Sequence, residues 1–211
     1  MIKEEFTFLS SDKKTNIHVI SCSPLNSKGT KILQIIHGKT EYIEKYLPFM
    51  EYLTSKGFIV IGNDLLGHGD SITNSDNKGY FGEPDPVSLL IQDIHTLRIM
   101  TQEKYENIPY FMLGHSMGSF FLRQYITIYG ENLSGVILMG TSYIPSCATS
   151  IALKILSLVA CFKGWHHKSS CIKKLMQLGD FKEDFNNSYL TRDQRLLKFF
   201  IQTLKVTLIL L

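Results

Sequence analysis

Short apolar runs that recur without polar alternation, at residues 31–37, 58–62, 109–113 and 136–139, constrain this chain more than any other feature. A strand with one wet face alternates, whereas a run such as Ile32, Leu33, Ile35 and Ile36 needs apolar neighbours on both faces. Helical periodicity follows the first three runs. Tyr46, Phe49, Met50 and Leu53 stand at i, i+3, i+4 and i+7 and stop at Gly57, while Val87, Leu90, Ile91, Ile94 and Leu97 mark a second helix and residues 116–129 a third. This alternation predicts an α/β fold, a mostly parallel sheet covered by helices, up to about residue 141. Ahead of it, residues 5–9, a polar turn through Ser11, Asp12, Lys13 and Lys14, and residues 16–21 predict an antiparallel pair.

Past Pro145 the strand signal ends and the chain turns helical and more basic, so residues 1–144 read as the core and 145–211 as a helical region laid over it. With 44% hydrophobic and 19% charged residues in 211, the chain can bury one core and lacks the signature of disorder. A net charge of +3 with no block of five basic residues gives no reason to expect nucleic acid. Cys22, Cys147, Cys161 and Cys171 show no CxxC spacing, and Glu4 and Glu5 stand where a secretory leader would be apolar; a reduced, cytoplasmic chain is expected. Residues 151–162 and 199–211 are apolar but short of the roughly 20 residues that span a bilayer.

Chemistry concentrates in Gly114-His115-Ser116-Met117-Gly118, a G-x-S-x-G between a predicted strand and a predicted helix. A serine on so sharp a turn needs Gly114 and Gly118, because a Cβ at either would collide where the helix packs back on the strand. Ser116 then lies at a helix N-terminus, where free N–H groups stabilise a nascent anion. The backbone N–H of Met117 is the first expected oxyanion donor. The loop His37-Gly38-Lys39-Thr40-Glu41 should supply the second from the Lys39 backbone, with His37 hydrogen-bonding its own loop. The blander reading of Ser116 is a helix N-cap between two flexible glycines.

These segments, with residues 63–71 (Asn-Asp-Leu-Leu-Gly-His-Gly-Asp-Ser) and Gly140-Thr141, make the chain resemble the α/β-hydrolase superfamily, and within it the lysophospholipase and monoacylglycerol lipase-like serine hydrolases. Leu66, Lys39 and Tyr42 depart from that family's usual Arg, apolar residue and His. The resemblance implies a lipid-type carboxylic ester as small-molecule substrate, peripheral contact with a lipid surface and a partial helical cap from Pro145. It implies no metal, no cofactor and no specific protein partner. Leu153, Leu156, Leu158, Leu175 and Leu178 would line an acyl site or simply pack on the sheet; aminopeptidase or acyltransferase chemistry on the same fold remains the alternative.

In that family an Asp and a His follow the serine on later strands, and they are not found among the 95 residues after Ser116. His166 and His167 read as a solvated turn, His115 should project away from the serine hydroxyl, His68 is structural, and His18 and His95 fall on a strand and a helix. The final strands, acid and base are therefore expected beyond the chain, leaving a truncated, impaired or non-catalytic product. The tail suggests how: the usage of 3 Ala against 23 Ile is that of AT-rich coding sequence. In such codons, the tail read one base earlier resembles the family's Asp-Pro-x-x-Asn-Phe segment, so a frameshift near Phe200 is expected.

Overall fold

The structure, a computed structural model, describes residues 1–25, 29–143 and 146–164. It divides into two compact units, Met1–Thr141 and one beginning at Ser142. The first is built on a six-stranded sheet: β1 (Ile2–Leu9), β2 (Asn16–Ser23), β3 (Lys31–Ile36), β4 (Phe58–Asn63), β5 (Tyr110–His115) and β6 (Gly135–Met139). Their spatial order is β1-β2-β4-β3-β5-β6. The β1–β2 and β2–β4 pairs are antiparallel, and β4, β3, β5 and β6 run parallel to one another.

Alternate residues of the unbroken apolar strands serve two separate cores, which is why those strands carry no polar period. Ile32 and Ile36 of β3, Ile59 and Ile61 of β4 and Met112 of β5 meet Leu90, Ile94 and Leu97 of α2 (Pro86–Lys104) and Leu122 and Tyr125 of α3 (Met117–Tyr129). Leu33, Ile35, Val60 and Leu113 pack instead with Met50 and Leu53 of α1 (Leu47–Ser55). One polar side chain enters the first core fully satisfied: Gln34 donates to the Ile94 carbonyl (3.0 Å) and accepts from the Tyr110 hydroxyl (2.7 Å).

Helix starts follow local chemistry. Asp85 caps α2 by accepting the Ser88 N–H at 3.2 Å, with Pro86 at the first helical position. α2 runs seven residues beyond the Leu97 at which the apolar pattern stops, because its last turns bury Arg98 and Thr101 rather than hydrocarbon. In the second unit the described residues after Pro145 form α4 (Ser146–Lys163), which carries Leu153, Leu156 and Leu158. Leu175, Leu178, His166, His167 and Cys171 lie outside the described residues, as does the tail after Phe200. No helix among the described residues is long and apolar enough to cross a membrane.

Candidate active site

The parallel strands β3, β4 and β5 all end on one edge of the sheet, and the loops leaving them converge there. β5 passes into α3 through Ser116, whose φ of 49° and ψ of −116° lie where a residue with a Cβ is strained. Neighbouring strands hold it there: the Ser116 N–H donates to the Met139 carbonyl at the end of β6 (2.8 Å). The turn is tight enough that a Cβ on Gly114 would fall 2.5 Å from the Gly118 carbonyl oxygen, and one on Gly118 would run into the Ile36 carbonyl. Ser116 occupies the N-cap position of α3, yet its hydroxyl makes no capping bond. The N-cap role is thus vacant, and Ser119 folds back on the Ser116 carbonyl at 2.6 Å.

The β3 exit loop lies against this turn. A Cβ on Gly38 would sit 3.2 Å from the Ser116 Cβ and 3.3 Å from His115 Nδ1, so glycine allows the approach without displacing either neighbour. Among the described residues the Lys39 N–H has no partner, and the Met117 N–H, first in α3, has no carbonyl four residues back within the helix. The structure therefore brings Gly38, the neighbour of Lys39, against Ser116 between Gly114 and Gly118, with Met117 opening α3 directly after the serine.

Glu41 carries no catalytic role in the sequence analysis, yet it is central to the loop. One of its oxygens, Oε2, accepts from the Gly38 N–H (2.7 Å), the Tyr46 hydroxyl (2.7 Å) and His115 Nδ1 (3.0 Å). Burial opposes ionisation of this carboxyl, but the bonds from His115 and Tyr46 outweigh it and hold the pKa down to about 2. Its hydrogen bond to His115 in turn raises the imidazole above its ordinary value. The carboxylate three residues after Gly38 was the available signal, but its partners come from α1's approach and from β5.

The other described histidines have structural partners. His37 is fully buried; its Nδ1 donates to the Gly38 carbonyl (2.8 Å) and its Nε2 accepts the Leu65 N–H (3.0 Å). Burial, with His68 adding, lowers its pKa to about 4 and keeps it neutral. His68 bonds the Leu66 carbonyl and stacks on Phe81, and His95 bonds the Tyr125 hydroxyl and stacks on Tyr129. His18 meets buried Asp64 at 3.0 Å. With Asp70 this pair forms the one His/Asp group among the described residues close enough to share a cation. Asp64, however, already accepts the Ile43, Asp70 and His18 donors and so is committed to holding the loops. No described histidine is hydrogen-bonded to Ser116.

Comparison with known proteins identifies the family and agrees with the fold. Residues 27–205 match the Hydrolase_4 family model, described as serine aminopeptidase, S33. Rat monoglyceride lipase is 26% identical over 60% of this chain and 40% of its own length, and phospholipase YtpA of Bacillus subtilis is 28% identical over 61% and 49%. The chain thus aligns with less than half of each of these relatives. A thermostable carboxyl esterase from Bacillus coagulans, solved with glycerol, superposes with a TM-score of 0.74 at 31% identity, over 98% of this chain and 73% of that one. The chain's mostly parallel helix-covered sheet, its tight strand-to-helix turn and these matches together make it a member of the Hydrolase_4 family with an α/β-hydrolase fold, similar to monoglyceride lipases and phospholipases.

Proposed function

We propose that Ser116 is the nucleophile of a hydrolase acting on lipid-type carboxylic esters, monoacylglycerols or lysophospholipids. The observation that carries the reading is the strained serine whose hydroxyl caps nothing, with the Gly38 loop pressed against it. Strain of that kind persists where the surroundings impose it and suits a residue that must stand clear of the backbone. The Ser116 oxygen would attack the ester carbonyl carbon, and the carbonyl electrons would move to an oxyanion held by the Lys39 and Met117 N–H groups. The alcohol would leave protonated, and water would release the acid. The relatives' names, a monoglyceride lipase and a phospholipase, support the substrate class, and such substrates imply contact with a lipid surface from the cytoplasmic side. No metal or cofactor has a part in the scheme.

The base and its carboxylate partner come from outside the described residues, since each described histidine is engaged elsewhere. Without a base, turnover at such a serine falls to the roughly 10³–10⁴-fold over water that an oxyanion hole and binding provide alone. The family's description as serine aminopeptidase favours a second reading, amide cleavage at the same serine. Side-by-side assays of a p-nitrophenyl ester and an amino-acid p-nitroanilide separate the two. Slow ester turnover abolished by Ser116→Ala supports the esterase; faster release from the anilide supports the peptidase; rates unchanged by Ser116→Ala refute both.

A further inference from the structure

Two side chains grip the backbone of Gly38 beside Ser116, one on each of its peptide groups. The Gly38 carbonyl accepts from His37 Nδ1 at 2.8 Å and from the Glu41 N–H at 3.3 Å, while the Gly38 N–H is taken by the Glu41 carboxylate at 2.7 Å. Both polar groups of Gly38 are thus consumed inside the loop, and the Gly38 amide has no hydrogen left for an oxyanion. The next N–H belongs to Lys39. In a trans peptide, the carbonyl of one residue and the N–H of the next point to opposite sides, so tying down the Gly38 oxygen turns the Lys39 N–H away from His37. We infer that His37 is a positioning residue: its Nδ1–H fixes the rotation of the 38–39 peptide and thereby presents the Lys39 N–H to the substrate oxyanion. This rests on the reading of Ser116 as nucleophile.

The imidazole suits that role and no other. Its Nδ1 faces a carbonyl and must carry the hydrogen; its Nε2 faces the Leu65 N–H and must be bare. A single neutral tautomer is therefore set by two backbone groups from two loops, after β3 and after β4. The ring is fully buried, and the charged groups nearest it, Asp64 and Glu41, are each satisfied by several donors; the neighbouring His68 disfavours a second proton. With both nitrogens in use, His37 cannot exchange protons with substrate. What it can do is hold a carbonyl still.

Two near-isosteres split its bonds. Asn places an N–H where Nδ1 stood and keeps the Gly38 contact, whereas Gln places an acceptor where Nε2 stood and keeps only the Leu65 contact. The rate at which a fluorophosphonate labels Ser116, with loss of fluoride, is read by intact mass for the full chain, His37→Asn and His37→Gln. His37→Asn should stay within about three-fold of the parent and His37→Gln should fall about 10²-fold, the usual loss when one oxyanion donor is removed. Equal losses in both, or none in either, overturn the inference while leaving the nucleophile intact. An unlabelled parent chain overturns the nucleophile reading and this inference with it. Where the variants do not fold, the parent decides: long-range nitrogen–proton spectra between pH 6 and 8 must show His37 with hydrogen on Nδ1, and hydrogen on Nε2 refutes the peptide clamp.

Discussion

At the scale of single residues, the site stores strain and settles charge. Ser116→Gly removes the Cβ that makes φ of 49° unfavourable, so it should raise stability by about 1 kcal/mol while ending all labelling of the turn. Urea unfolding reads the first effect and intact mass the second; a destabilised Ser116→Gly would show that the turn is not strained. Two of the shifted groups, His37 and Glu41, each give a pH dependence with a defined sign. His37, at about 4 when folded against 6.5 when free, takes up protons more readily unfolded, so its contribution is full above pH 6.5 and drains away as pH falls towards 4. Glu41, at about 2 against 4.5, contributes fully above pH 4.5 and is lost as pH falls through 2. Urea midpoints measured from pH 7 to pH 2 should therefore fall in two overlapping stages, and Glu41→Gln should flatten only the lower one.

At the scale of elements, packing of one backbone on another sets what each position tolerates. Gly118→Ala drives a methyl into the Ile36 carbonyl, a backbone atom that cannot step aside, and should cost about 3 kcal/mol or prevent folding, as thermal melting would show. The end of α3 depends on Arg98, buried on α2, whose Nη1 donates to the Tyr129 carbonyl (2.6 Å) and the Tyr125 hydroxyl (3.2 Å) and whose Nη2 donates to the Glu131 carbonyl (2.7 Å). Arg98→Met strands those carbonyls and should lose about 2–3 kcal/mol, with Arg98→Lys recovering part. A melting temperature unchanged in Arg98→Met would contradict this. These two elements also show what the sequence could disclose. The turn at Ser116 was legible because its glycines serve a local collision between a strand and the next helix. Arg98 was not, because an apolar period cannot register a helix that buries a cation for a neighbour's carbonyls. Glu41 and His115 were invisible for the same reason: they are 74 residues apart and meet only through the sheet. His115 was placed away from the serine hydroxyl, and it is occupied with Glu41 and Tyr46.

At the scale of the whole molecule, β6 is the last strand among the described residues and carries no charge to guard its edge. Val136, Ile137 and Met139 are 38%, 48% and 46% exposed, on both faces of the strand. An uncharged apolar edge pairs with other chains, so the protein should associate as its concentration rises, and Ile137→Lys should shift it towards monomer in sedimentation velocity. A parent chain that stays monomeric at every concentration would contradict this. The central claim is chemical: a family scaffold here holds a serine ready to attack, whatever residues complete its proton relay. Its most direct test is to incubate the full chain with excess fluorophosphonate and map the adduct by peptide mass. A slow one-to-one adduct on the peptide containing Ser116, absent in Ser116→Ala, is predicted; a folded chain that acquires no adduct, or acquires it elsewhere, would contradict it.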